Sequence, residues 1–211
     1  DKYLIGVDAA NGKILFRENY SEVSGKGNEV FYASSNAVTP LFHDGSLFIT
    51  GGYNFGSIMF RINEDATGVK VQWTDSALDC QMGGVVLVNG FIYGSNWINN
   101  GKGNWCCLDW NSGKLMYEQP WFTKGTIISA DSMLYCYEEK SGTIGLVEAD
   151  PQQFNLTGSF RVSGGSGPHW AHPTISGGNL FVRHGDALMV YRLKRSVVCT
   201  QNFLFHRGNV P

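Results

Sequence analysis

The richest chemistry sits in Gly164-Gly-Ser-Gly-Pro-His169-Trp170-Ala-His172-Pro173. Two imidazoles and an indole stand on a stretch that glycine and proline shape into a loop, and His184 and Asp186 lie in the next loop. Imidazoles beside a carboxylate can bind a ligand, act as a general base or hold a metal. The same groups can instead bond to one another and to loop backbone, fixing local geometry. The three His show no spacing diagnostic of a metal, and none is assigned. Tyr53, Trp97, Trp121 and Trp170 offer flat faces for a sugar ring or a planar cofactor, or wedges between packed sheets. Asn54, Asn96, Asn99, Lys124, Glu138 and Glu139 add polar groups. The two glutamates are the acid candidates by position, yet adjacent strand-end residues point to opposite sides, so at most one serves a common site. No Ser–His–Asp order, phosphate loop or dinucleotide fingerprint is present.

Two alternating phrases set the elements that must position these groups. The first is strand, tight turn, strand: Leu4-Ile-Gly-Val-Asp8-Ala-Ala-Asn11-Gly12-Lys13 and Trp105-Cys-Cys-Leu-Asp109-Trp-Asn111-Ser-Gly113-Lys114, with looser copies around Asp65–Gly68 and Asp150. Asp and Asn bond back onto the turn, and Gly supplies positive φ. The second phrase centres on Asp44-Gly45, Asn89-Gly90, Asp131-Ser132 and Gly177-Gly178. From Asp44 to Asn89 to Asp131 to Gly177 the steps are 45, 42 and 46 residues. Two hairpins in a period near 40–50 residues are the signature of a β-propeller blade, a four-stranded sheet that must stack on neighbours.

The expected class is therefore all-β, a propeller of four-stranded antiparallel blades, about half of an eight-bladed ring. Lettering strands a to d outward from the axis, Tyr3–Val7 and 13–16 are c and d of a partial first blade. Full blades are expected at 37–73, 85–117 and 126–162, with a last unit at 174–193, about seventeen strands in all. Blades occupy 1–194, and 195–211 is a closing strand or a tail. A first blade without its inner strands leads us to expect a C-terminal portion of a longer or processed protein. The a–b and c–d turns must share one end. The longer connections, at 21–36, 51–56, 74–84, 96–104, 118–125, 138–142, 163–173 and 184–186, share the other. Loops on a rigid scaffold are where binding groups gather, so the site is expected there.

Composition limits the partners. The 211 residues carry a formal net charge of −2, with 27 Gly and 13% aromatics. Charges are scattered, which argues against nucleic acid, and no apolar run approaches the ~20 residues of a membrane span. No signal peptide is visible. The cysteines, Cys80, Cys106, Cys107, Cys136 and Cys199, are odd in number and read as small core hydrophobes. Asn155-Leu-Thr157 fits a glycosylation sequon.

The Asp-x-x-x-Gly-Lys turn with an aromatic a few residues on (Trp73, Tyr117) resembles the repeat of pyrroloquinoline-quinone (PQQ)-like β-propellers. The resemblance extends to Tyr93-Gly-Ser-Asn-Trp97, Gly167-Pro-His-Trp-Ala-His-Pro173 and Arg183-His-Gly-Asp186, nearest to uncharacterised bacterial members. It implies a periplasmic or extracellular setting. It leaves three roles open. One is a binding propeller for a small molecule or carbohydrate, with His169, Trp170, His172, His184, Asp186, Trp97, Asn96, Tyr53 and Glu138 as candidate contacts. Another is a PQQ- and calcium-dependent dehydrogenase oxidising an alcohol or sugar. The third is a scaffold whose open edges meet a protein partner or a missing propeller half. Some family dehydrogenases carry a disulfide between adjacent cysteines above the quinone. Cys106-Cys107 differs, lying within a strand that leads to the tight-turn end.

Overall fold

The computed structural model describes residues 3–20, 23 and 36–193, and every regular element among them is a strand. β1 (Tyr3–Val7) and β2 (Ile14–Asn19) form a two-stranded sheet. The second sheet is β3 (Leu41–His43), β4 (Ser46–Thr50), β5 (Ser57–Ile62) and β6 (Val69–Asp75). The third is β7 (Val85–Val88), β8 (Phe91–Ser95), β9 (Trp105–Asp109) and β10 (Leu115–Gln119). The fourth is β11 (Gly125–Ala130), β12 (Met133–Glu138), β13 (Thr143–Glu148) and β14 (Asn155–Arg161). The last is β15 (Thr174–Ser176), β16 (Asn179–His184) and β17 (Ala187–Arg192). Within each sheet every strand pairs antiparallel with the next in sequence, as consecutive propeller blades require. The seventeen strands match the repeat. β2 runs on to Asn19, three residues beyond the expected end. Most of the 21–36 connection and the 195–211 segment lie outside the described residues.

The turn chemistry explains the hairpins. Asp44 and Gly45, Asn89 and Gly90, Asp131 and Ser132, and Gly177 and Gly178 all have positive φ, between 44° and 82°. Two consecutive left-handed residues give the two-residue hairpin turn whose twist matches its strands. The outer turns follow a second rule. Asp109 Oδ1 accepts bonds from the Asn111 and Ser112 amides at 3.1 and 2.8 Å, and Gly113 N donates to Asp109 O at 2.9 Å. Asp8 repeats this with the Ala10 amide at 2.9 Å and Gly12 N at 2.8 Å. A bulge interrupts the outer strand pair of each of the first four sheets. Bulges of this kind add local twist.

The cores lie between sheets, four for five sheets. Phe48 and Met59 of the second sheet meet Ile92, Cys106 and Leu108 of the third. Tyr93, Trp105 and Cys107 of the third meet Ile127, Leu134, Cys136 and Val147 of the fourth. Ile49, Ile58 and Phe60 carry the first interface, with Leu4 against them, and Tyr137, Ile144, Leu180 and Val182 the last. Period-two alternation puts neighbours such as Cys106 and Cys107 into opposite cores. Each fully buried large apolar side chain contributes about 1.5–3 kcal/mol. Both of these thiols are unbonded to other sulfurs, and burial pushes Cys107 up to about 12. They behave as packing atoms. A further tie joins the outer edges: Trp73 Nε1 donates to Trp110 O at 3.2 Å, with its ring against Gly113 of the next sheet. The aromatic after the outer turn therefore docks on the following blade.

Inner strands approach closely. β11 packs on β7 and β8. Ile127 N donates to Gly83 O at 3.1 Å, and a Cβ on Gly83 would stand 1.9 Å from Gly125 O.

Candidate functional site

Among the described residues the long connections share one end, and several of them are held by a buried polar group. Asp79 accepts the amides of Asn54 and Gly56 at 2.6 and 2.7 Å, fixing the 51–56 loop. Asn96 Oδ1 accepts Asn104 N at 2.7 Å, and its amide donates to Ala77 O and Glu118 Oε1 at 3.0 and 2.8 Å. Glu138 is 1% exposed and accepts Lys140 N and Ser141 N, both at 2.7 Å, and Ser141 Oγ at 2.5 Å. Lys124 Nζ donates to Glu139 Oε1 at 2.6 Å and to the Asn99 and Asn100 carbonyls at 3.3 and 3.1 Å. Asn96 and Glu138 thus build loops, which fits burial of polar groups only when they are bonded. Ser95 Oγ ties the third sheet to the fourth through Gly125 O at 2.9 Å.

His169 and His184 come together; the other imidazole does not join them. Their rings stack at 3.6 Å with 22° between planes. His184 Nδ1 lies 2.6 Å from Gly164 O and Nε2 2.7 Å from Gly167 O. His169 Nδ1 meets the Tyr137 hydroxyl at 2.5 Å. Burial holds His169 below the usual imidazole range, and the neighbouring His184 and Arg161 add to this while Glu138 opposes it. His172 is exposed, its Nε2 3.2 Å from Met82 O on the opposite side of the loop. Asp186 is exposed on the turn after β16.

The aromatics divide by role. Trp121 packs on Trp105, Phe122 and Phe154 at ring separations of 6.1, 5.0 and 5.9 Å, a wedge against Gly145. The Tyr53 and Trp97 rings lie 4.9 Å apart, tilted by 45°, with Gln81 Nε2 donating to the Tyr53 hydroxyl at 2.7 Å. Trp170 is 53% exposed. It borders a cleft with Gln81, Ser95, Lys124, Glu139 and His169. On the far side of His169 a second cleft is lined by Ser141, Arg161, Ser163, His184 and Gly164-Gly165. Asp79, Gln81 and Arg161 were missed in the sequence. Arg161 had one legible signal, a cation closing a strand just before the glycine-rich loop.

No protein-family model and no curated protein matches the chain. Solved structures do. The computationally designed Ika8 protein is similar over 92% of this chain and 56% of its own, at 9% identity and a TM-score of 0.60. A "putative 6-phosphogluconolactonase" from Bacteroides uniformis is similar over 90% of this chain and 60% of its own, at 14% identity and a TM-score of 0.61. A europium-containing methanol dehydrogenase matches 60% of this chain and 26% of its own at 12% identity, and its TM-score of 0.44 carries no argument about activity. The chain spans little more than half the length of the first two. Identities this low speak for fold alone, and with the sheet order they make the chain a run of β-propeller blades.

Proposed function

We propose that this propeller is a binding protein whose long-loop end takes a small polar molecule with a ring face, of the sugar class, against Trp170. The observation that carries this is the half-exposed Trp170 indole, an open ring face beside a small crevice lined by Gln81, Ser95 and the Lys124–Glu139 pair. An indole face stacks on the C–H face of a sugar while amide and hydroxyl groups bond its rim. The resemblance carried by the Asp-x-x-x-Gly-Lys turn and the aromatic after it, Trp73 or Tyr117, supports a PQQ-like repeat assignment, and with it a periplasmic or extracellular setting. No three carboxylate, imidazole or thiol side chains among the described residues group as a cation site, and Cys106 and Cys107 are buried in separate cores. The test is a tryptophan-fluorescence titration of the full chain with neutral mono- and disaccharides. A saturable shift supports the reading; a flat response across the panel overturns it.

A further inference from the structure

We propose that the second cleft, between the end of β14 and the 163–167 loop, binds an anionic group, phosphate or carboxylate, with Arg161 as its anchor. This goes beyond the Trp170 cleft, with which it shares only the His169 wall. Arg161 Nε donates to Ser141 O at 2.8 Å, which fixes the guanidinium plane. Its two terminal nitrogens have no acceptor among the described residues, and no carboxylate there pairs with it. A fixed guanidinium with open N–H groups suits bidentate contact with an oxyanion.

The opposite wall is His184 and the glycine-rich loop it holds. Both ring nitrogens of His184 face backbone carbonyls, at 2.6 and 2.7 Å. A carbonyl only accepts, so whichever His184 ring nitrogen carries a hydrogen donates to the glycine-rich loop and ties it to β16. The Gly164 and Gly167 carbonyls are taken up by His184, while no backbone N–H from 163 to 167 donates to an acceptor among the described residues. Gly165 and Gly167 have φ of 85° and 87°, and a Cβ on Gly165 would stand 2.0 Å from His184 O, so this backbone can approach the wall only as glycine. Backbone amides left without an acceptor in a glycine-rich loop are available to an anion.

The acids nearby do not cancel the Arg161 charge. Glu138 of β12 lies buried under the 138–142 turn, its oxygens already accepting three bonds. Asp186 is exposed and does not line the cleft. His169, facing Tyr137, His184, Arg161 and Glu138, is held toward its neutral form by burial first and then by His184 and Arg161, with Glu138 opposing. An anion in the cleft would offset those neighbours, so binding should take up protons at His169 and tighten as pH falls toward and below the ordinary imidazole value, about 6.5.

The experiment titrates inorganic phosphate, and separately acetate, into the full chain while following imidazole ¹⁵N resonances. Saturable shifts at His169 and His184 are expected, with affinity rising at lower pH. Arg161→Gln should weaken binding at least tenfold, Arg161→Lys less, and Arg61→Gln at the tight-turn end not at all. Phosphate bound without acetate, or acetate without phosphate, names the anion class. No saturable shift in the wild type, or equal affinity in a folded Arg161→Gln, overturns the proposal. Retention of phosphate binding by Trp170→Ala separates this site from the sugar-class cleft, so either reading can fail alone.

Discussion

His169 and His184 lie face to face, 3.6 Å apart, and only one of them has both ring nitrogens engaged by carbonyls. The pair joins the 163–173 link to β16 and sets the position of Trp170, one residue on from His169. Replacing His184 with Ala removes its tie to the glycine-rich loop and the stacking surface of His169. The expected loss is about 2–3 kcal/mol, read from urea unfolding, with His184→Gln between it and the wild type.

His169 gives a pH dependence with a definite sign. Its folded-state pKa is depressed by burial first, then by His184. A depressed imidazole contributes stability that is complete above its unfolded value, about 6.5, and is lost as pH falls through the lower folded value. The melting temperature of the wild type should therefore drop more between pH 7.5 and 5 than that of His169→Gln. Parallel curves would remove His169 from the account.

Glu138 is expected to act on stability and not on binding. Its three accepted bonds hold the turn after β12. Glu138→Ala should cost about 2–4 kcal/mol, since each bond to a charged acceptor is worth about 1.5–3 kcal/mol and water replaces part of them. Ligand affinity of the folded variant should stay within about twofold, a shift under ~0.5 kcal/mol.

Two backbone substitutions should move stability in opposite directions. Gly83→Ala puts a Cβ 1.9 Å from Gly125 O at the inner-strand contact, where only backbone can yield. A loss of about 3 kcal/mol or more is expected, as for overpacking. Ser132 holds φ of 59° at a hairpin position that is Gly in the three other inner turns. Ser132→Gly should gain about 0.5–1 kcal/mol. Differential scanning calorimetry on both variants checks the pair.

The blades were legible because their signal is local. Asp44-Gly45 and its three counterparts carry the turn in two residues, and strand alternation does the rest. Trp73 was legible as the aromatic that follows the outer turn, whereas its docking on the next sheet is seen only in the structure. The loop end was legible only as a location. Asn96 and Glu138 read as rim groups, yet each is consumed by amides of its own loop. The bonds of His184 run back seventeen and twenty residues to glycine carbonyls whose direction no residue type announces. The loops do not repeat from blade to blade, so the period that located the strands could not place Arg161 beside His184.

The most direct measurement follows the indole N–H resonances of the six tryptophans while maltose, cellobiose and their component sugars are added to the full chain. If the cleft beside Trp170 is the binding site, the Trp170 signal shifts saturably with at least one sugar while the packed Trp105 and Trp121 stay still, and Trp170→Ala abolishes binding. No shift at Trp170 with any sugar, or unchanged binding by Trp170→Ala, would contradict the account.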